Sequence, residues 1–269
     1  NETMITAAFQ GSEGAFSDVL LRAHFAARGE PVETIGVTTC RDVAAAIVTG
    51  RARYGLLPVE SAIGGTFREG FEPIATYELK PVREIFYRME HGLLGLEGAT
   101  LAGLRRVEAH PMVLRECGRF LATLAAVRPV PTTDGGTAAR DVAEAKDPSF
   151  AAIGSSDAAA RYGLVTLATN IADHPDNFAR FLLVEAGRPG EITPKESGLR
   201  RTSLQFSTQN EKGALAKCLA LFADAGINLT QLESHPRAGR PWEYLFNADL
   251  DGDADDPICL LYTSDAADE

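Results

Sequence analysis

The hydrophobic period of the chain changes twice after residue 200, and this change is the strongest constraint on its fold. Within residues 214–225, apolar side chains recur every three or four positions, which gives a helix one apolar face. Gly226 follows, and glycine commonly ends a helix. On either side, residues 203–207 and 244–250 alternate apolar with polar side chains, the pattern of strands with one buried face. The stretch predicts a strand, a helix and two further strands, which is most of a small α+β sandwich.

The preceding part of the chain alternates short apolar segments with helical ones. Such alternation predicts βαβ units and a mainly parallel sheet, arranged as two α/β lobes with a cleft where loops at strand ends meet. The predicted strands are residues 6–9, 54–60, 82–94, 106–109, 128–132, 150–153, 166–171 and 178–184. The predicted helices are residues 15–27, 42–48, 112–126, 137–145 and 157–162, the last of which is capped by Ser155 or Ser156.

Composition argues against several classes of function. A net charge of −11 without a basic stripe argues against nucleic acid as a partner. Apolar residues make up 45% of the chain but form no run of about 18, so we expect no membrane span. The first residues lack the pattern of a signal peptide. The 4 cysteines and 5 histidines are scattered, which predicts reduced thiols, a cytoplasmic protein and no bound metal.

A glycine-bearing loop at residues 10–14 connects the first predicted strand to the first predicted helix. Free backbone N–H groups at such a helix start can bind an anion. A purely structural strand-to-helix turn is the equal alternative, and the sequence does not separate the two.

Residues 5–185 resemble the catalytic domain of prephenate dehydratases in five segments that follow the family's order. The segments are FQGSEGAFS at 9–17, LPVESAIGGTF at 57–67, EAHPMVLREC at 108–117, DGGTAARDVAE at 134–144 and NFARFLLV at 177–184. The resemblance implies a two-lobed fold like that of periplasmic binding proteins. It also implies an enzyme without a cofactor that converts prephenate to phenylpyruvate, with loss of water and CO2, in phenylalanine biosynthesis.

The resemblance also implies which residues form the site. The implied catalytic positions are Glu60, His110, Ala179 and Arg180, and arginine geometry suits a substrate carboxylate. The implied substrate-binding positions are Gly14, Ala15, Phe16, Ser17, Ser61, Thr137 and Phe181. Departure of the ring hydroxyl needs a proton donor or a positioned hydrogen bond, and the family has a threonine where this chain has Ala179. Loss of one such donor costs about 2.7–4 kcal/mol of transition-state stabilisation, so weakened activity is an alternative.

Further departures lie within the same segments. The family's asparagine and serine after the glutamate are Ser61 and Ala62, and its serine before His-Pro is Ala109. Its two glutamines after His-Pro are Met112 and Glu116.

Residues 200–252 resemble the ACT regulatory domain that is attached to this family. The shared segments are GAL at 213–215, GINL at 226–229, ESHP at 233–236 and EYLFNADLDG at 243–252, with His235 where the family has arginine. The resemblance implies a ferredoxin-like α+β domain that binds phenylalanine as a feedback effector between paired domains, in a homodimer or homotetramer. The implied effector positions are Gly213, Ala214, Leu215, Asn228, Glu233 and Ser234.

The domain boundaries follow from these segments. We expect a catalytic domain at residues 1–186, a linker rich in proline and glycine at 187–199 and an ACT domain at 200–252. The last helix and strand of an ACT fold are not evident after residue 252, so we expect this domain to be incomplete. We expect residues 253–269 to be a non-native tail.

Two alternatives to a prephenate dehydratase remain open from the sequence. The same chemistry on arogenate would give phenylalanine directly, and the segments do not separate the two substrates. A catalytically decayed module that binds an aromatic acid or an amino acid is the other, and the departures at Ser61, Ala109 and Ala179 favour it. Structural roles are the alternative for the retained residues Ser17, Glu60, His110 and Arg180.

Overall fold

A computed structural model describes residues 4–124, 126–187, 201–208, 210–236 and 243–252. The chain divides into two compact units, Asn1–Thr193 and Pro194–Glu269. The strands are β1 (Ile5–Gln10), β2 (Val32–Val37), β3 (Tyr54–Ser61), β4 (Gly65–Thr66), β5 (Leu79–Arg88), β6 (Gly92–Gly95), β7 (Arg106–Ala109), β8 (Arg128–Pro131), β9 (Phe150–Gly154), β10 (Val165–Ala168), β11 (Phe178–Ala186), β12 (Arg201–Ser207), β13 (Leu229–Pro236) and β14 (Tyr244–Asp251). The helices are α1 (Phe16–Ala26), α2 (Cys40–Val48), α3 (Arg68–Thr76), α4 (Pro111–Glu116), α5 (Gly118–Ala122), α6 (Gly135–Ala145), α7 (Ser156–Tyr162) and α8 (Ala214–Asp224), and a short 3₁₀ turn spans Leu101–Gly103.

Lobe 1 is built on a sheet in the order β2-β1-β3-β11-β5, with β4 paired to β3. The strand β1 runs parallel to β2 and β3, whereas β11 runs antiparallel to β3 and β5. Both faces of the sheet are covered, which explains the continuous apolar run in β3. Leu56 packs in the core beneath α1 and the neighbouring Leu57 packs in the core beneath α2.

Lobe 2 is built on a second sheet, in the order β10-β6-β9-β7-β8. Its parallel strands are β9, β7 and β8, and β6 runs antiparallel to both β9 and β10. Leu93 packs with residues of α4 and α5 on one face, and Leu94 packs against α6 and α7 on the other. Asp134 caps α6 and Ser155 caps α7, each through a side-chain oxygen that accepts a backbone N–H.

The chain crosses between the lobes twice. The first crossing, at residues 89–91, connects β5 to β6, and the second, at residues 169–177, connects β10 to β11. The two crossings are joined by backbone hydrogen bonds from Met89 N–H to the Asn177 carbonyl (2.7 Å) and from Ile171 N–H to the His91 carbonyl (3.2 Å). The two crossings therefore form one hinge region.

The two-lobed α/β fold is confirmed, but several details of the prediction were wrong. Each lobe's sheet is mixed rather than mainly parallel. In lobe 1, β11 returns from lobe 2 and runs antiparallel to its neighbours, and in lobe 2, β6 runs antiparallel to β9 and β10. The strand expected at residues 82–94, with a break at Gly92, is two strands in two sheets, and β6 begins at Gly92 after the first crossing. The strand β2 and the helix α3 were not predicted.

The prediction of one continuous helix at residues 112–126 is also wrong, because the helix breaks at Cys117 into α4 and α5. The carbonyl of Glu116, which would accept the N–H of residue 120 in a continuous helix, accepts the backbone N–H of Asp173 instead (2.7 Å). The Asp173 carboxylate then accepts the N–H of Arg119 (2.9 Å) and so caps the second helix.

The second unit contains the strand, helix and two strands that the periodicity predicts. Its sheet has the order β12-β14-β13, and both pairings are antiparallel. Phe206 lies between the rings of Phe222 on α8 and Phe246 on β14, with centroid distances of 6.2 and 5.4 Å. The ACT assignment stays a prediction. Apart from Gly187, the expected linker and tail lie outside the described residues.

Among the described residues, we find no helix that combines the length and the apolar character required to cross a membrane.

Candidate functional site

The loop after β1 forms a junction with lobe 2. Ser12 Oγ lies 2.8 Å from Thr137 Oγ1 at the start of α6, and the Ser12 N–H donates to the capping Asp134 (3.3 Å). Ser155, at the start of α7, donates its hydroxyl to the Gly14 carbonyl (2.8 Å). Thr137 and Gly14, two predicted substrate-binding positions, therefore hold the lobes together at this point.

Three backbone N–H groups of this loop donate to acceptors within lobe 1. The Gly14 N–H donates to the Asp18 carboxylate (2.8 Å), and the Ala15 N–H donates to the Ser12 carbonyl (3.0 Å). The Gly11 N–H donates to the Val37 carbonyl (2.8 Å). These three loop donors are therefore satisfied within the protein, and the anion seat at the start of α1 stays a prediction.

Arg180 lies on β11, beside Glu60 on β3, and its side chain is only 4% exposed. Its Nη1 is 3.2 Å from Glu60 Oε2, and its Nε contacts the Glu84 carboxylate on β5. The guanidinium is therefore balanced by two carboxylates from the two neighbouring strands. Arg180 thus makes the structural contact that was the alternative to a catalytic role, pairing with a carboxylate.

Ala179 lies opposite Ser61 on β3 and Tyr87 on β5, and it is buried. The Ser61 hydroxyl oxygen accepts the backbone N–H groups of Ile63 and Gly64 (3.3 and 3.1 Å), so it shapes the loop after β3. The Ser61 hydroxyl opposite Ala179 is thus held in place by the loop that follows it.

Three other predicted substrate-binding residues have side chains that pack against other side chains of the protein. Ala15 and Phe181 belong to the hydrophobic core beneath α1. Phe16, the first residue of α1, places its ring 5.5 Å from the His91 ring and 6.1 Å from the Tyr87 ring. Ser17, a fourth such position, is also buried.

His110 caps α4 at the end of β7. Its Nδ1 accepts the backbone N–H of Met112 (3.3 Å), which leaves the proton of the neutral ring on Nε2. Desolvation lowers the pKa of His110, against the opposing influence of the Glu69, Asp134 and Glu116 carboxylates. Because Glu69 belongs to α3 of lobe 1, His110 lies close to both lobes.

A buried polar cluster, which sequence analysis missed, lies beside these residues. Glu116 Oε2 is 2.9 Å from His91 Nε2 and accepts the Asn177 side-chain amide at 2.8 Å. Glu116 Oε1 accepts the Ser61 hydroxyl at 3.3 Å. Burial raises the pKa of Glu116, but the hydrogen bonds from these three residues and the charge of His91 lower it overall.

Part of this cluster could have been found from the sequence. Asn177 begins the NFARFLLV segment, and Glu116 was noted only as a departure from the family. His91 carries no sequence signal, because its role depends on a crossing between lobes that periodicity does not reveal.

Within the described residues, no group of three or more His, Cys, Asp or Glu side chains could hold a metal ion. Cys40 and Cys117 are buried free thiols, and desolvation raises the pKa of each to about 12. Neither thiol is therefore a nucleophile near neutral pH.

The effector positions lie in the second unit. Gly213 caps α8 with a φ of +84°, and Ala214 and Leu215 begin that helix. Asn228 donates its side-chain amide to Asp251 (2.7 Å), while Glu233 and Ser234 lie on the edge strand β13. The roles of these residues stay predictions.

Comparison with known families gives a direct match. The family model described as "Prephenate dehydratase" matches residues 7–188. The chain belongs to the prephenate dehydratase family. A bifunctional chorismate mutase/prephenate dehydratase from Neisseria gonorrhoeae is 32% identical over 93% of this chain and 67% of that protein. A bifunctional N-acyl-homoserine lactone acylase/prephenate dehydratase from Komagataeibacter europaeus is 34% identical over 93% of this chain and 86% of that protein.

Solved structures agree with this assignment. The crystal structure of prephenate dehydratase from Arthrobacter aurescens in complex with L-Phe has a TM-score of 0.82 and 29% identity, and covers 95% of this chain and 83% of that one. The resemblance to prephenate dehydratases is confirmed for the catalytic domain, since the family match covers both lobes.

We expect Arg180→Met to lower the free energy of unfolding of the catalytic domain by about 2 kcal/mol. This is less than the about 3–5 kcal/mol for breaking a fully buried pair, because the Glu60 side chain is 37% exposed. Urea unfolding gives the difference. The double variant Arg180→Met/Glu84→Gln should recover part of the lost free energy of unfolding. A stability of Arg180→Met equal to that of the wild type would contradict the ion-pair account.

Proposed function

We propose that this chain is a dehydratase that converts prephenate to phenylpyruvate, with release of water and CO2 and without a cofactor. The observation that carries the proposal is the match of the prephenate dehydratase family across both lobes, at whose junction Ser61, opposite Ala179 on β11, donates to Glu116 of lobe 2. That this reaction serves phenylalanine biosynthesis in the cytoplasm is part of the same proposal.

The chemistry needs little from the protein beyond position and charge. The bond from the ring to its carboxylate breaks, and the electron pair enters the ring as the bond to the opposite hydroxyl breaks. The hydroxyl leaves as water once it takes up one proton. Aromatisation drives the reaction, so orientation and electrostatics supply most of the rate.

In this proposal His110 donates a hydrogen bond through Nε2. Desolvation lowers the pKa of His110, so the ring is neutral near pH 7, and the Met112 N–H occupies Nδ1. The Nε2–H is therefore directed away from α4's first turn and serves a hydroxyl or carboxylate of the substrate.

Arg180 binds a substrate carboxylate by exchange of partners. The guanidinium already contacts Glu60 and Glu84, so a substrate carboxylate displaces one of them. Glu60 is the partner that leaves, since its side chain is 37% exposed compared with 25% for Glu84. The displaced carboxylate is rehydrated while the substrate gains charge-assisted hydrogen bonds.

The test is incubation of the full chain with prephenate, with phenylpyruvate as the measured product. Arogenate, which would give phenylalanine, is compared in the same assay. No acceleration of either reaction would overturn the proposed function in favour of a binding module, which calorimetry with phenylpyruvate would detect.

A second candidate function is hydrolysis of N-acyl-homoserine lactones. The relative from Komagataeibacter europaeus bears both activities in its name and is 34% identical over 93% of this chain. Release of a fatty acid from an N-acyl-homoserine lactone would support this activity. Prephenate added to the same assay would show whether the two substrates compete for one site.

Phenylalanine feedback through residues 201–252, with paired domains, is a further part of the proposal. Support comes from the solved relative that contains L-Phe and from the strand, helix and two strands of the second unit. We expect phenylalanine to lower the rate at which the full chain forms phenylpyruvate. The same rate should be unchanged by phenylalanine in a chain that ends at residue 187. Equal inhibition of both chains would place the effector in the catalytic domain instead.

We expect kcat for prephenate to be about 10²-fold higher in Ala179→Thr than in Ala179→Val. The two variants have side chains of nearly equal volume at this buried position, and only threonine supplies a hydroxyl donor beside Ser61. Steady-state kinetics on both variants gives the ratio. Equal kcat values would contradict a catalytic position at residue 179.

A further inference from the structure

The Glu116 carboxylate connects four parts of the catalytic domain. It lies at the end of α4 in lobe 2 and accepts hydrogen bonds from Ser61 in lobe 1, from His91 in the first crossing and from Asn177 in the second. One side chain therefore touches both lobes and both segments of the hinge region.

Burial makes these hydrogen bonds strong. The exposed fractions are 1% for His91, 1% for Asn177, 5% for Ser61 and 6% for Glu116. An ionised carboxylate can only accept, so His91 donates its Nε2–H to Glu116. In a dry setting such charge-assisted bonds fix the positions of their partners closely.

Stability alone does not explain the cluster. Among the described residues, His91 Nδ1 and Asn177 Oδ1 are buried and have no hydrogen-bond partner. Unpaired buried polar atoms cost free energy, so an apolar hinge of the same shape would be at least as stable. The cluster therefore indicates a requirement for a specific geometry.

The geometry that the cluster defines is that of the proposed active site. The helix α4 has His110 as its cap at one end and Glu116 as its last residue at the other. At the lobe 1 end of the cluster, Ser61 lies opposite Ala179, which precedes Arg180 on β11. Glu116 thus fixes the helix that carries His110 relative to the strand that carries Arg180.

We infer that Glu116 is a positioning residue of the site, which holds His110 of lobe 2 in register with Arg180 of lobe 1 through Ser61, His91 and Asn177. The catalytic part of this inference rests on the proposed function. The hinge part does not, because it concerns hydrogen bonds that exist without substrate.

The test uses the full chain with Glu116→Gln, Glu116→Leu and a matched control, Glu108→Leu. Glutamine can still accept from His91 and Asn177 through its side-chain oxygen, whereas leucine can accept from neither. Glu108 is a buried carboxylate of the same lobe that pairs with Arg106 (2.8 Å) on the same strand. The control therefore reports the cost of losing a buried carboxylate away from the hinge.

We expect Glu116→Leu to lower kcat for prephenate about a hundredfold, with a smaller change in KM, because small misplacements of reacting groups are costly. Glu116→Gln should retain kcat within about threefold of the wild type, and Glu108→Leu should alter stability but not kcat. A kcat for Glu116→Leu that matches that of Glu108→Leu would overturn the positioning role.

A second readout is independent of activity. Nitrogen-15 NMR of the histidine rings should show His91 protonated at Nε2 in the wild type. Amide hydrogen exchange at residues 89–91 and 169–177 should accelerate in Glu116→Leu and not in Glu108→Leu. Unchanged exchange in Glu116→Leu would overturn the inference even if the chain is an active dehydratase, whereas accelerated exchange without any turnover would overturn only the proposed function.

Discussion

The placement of β11 determines the rest of the catalytic domain. This strand follows lobe 2 in the chain, yet it pairs with β3 and β5 in the middle of lobe 1's sheet. Leu182 packs on one face of that sheet and Leu183 on the other, so the strand contributes to both cores of lobe 1. Lobe 2 is therefore inserted in the sequence between β5 and β11, two neighbouring strands of lobe 1, and the hinge region is a consequence of this order.

The same placement explains the electrostatics of the site. Arg180 enters the sheet between two strands that each supply a carboxylate, Glu60 and Glu84. Immediately before β11, Asn177 reaches Glu116 of lobe 2. The two carboxylates neutralise the Arg180 guanidinium, so lobe 1 does not contain an uncompensated buried charge at this position.

The sequence allowed the two-lobed fold and the family to be predicted, because helix periods, capping residues and short segments are local. It did not reveal the mixed sheets or the broken helix at Cys117, since both depend on partners far away in the chain, β11 and Asp173. The predicted positions around Ser61, Ala179 and Arg180 are brought together. The cluster around Glu116 was missed because a buried carboxylate is recognisable only after its donors, His91 and Asn177, are in place.

The central claim is that the junction of the two lobes is where a ring acid binds. Hydrogen exchange of the full chain with and without phenylpyruvate tests it most directly, because the amides of β11 and of α4 report on different lobes. The account predicts that phenylpyruvate slows exchange in both segments together. Protection confined to one lobe, or no protection in either segment at saturating phenylpyruvate, would contradict it.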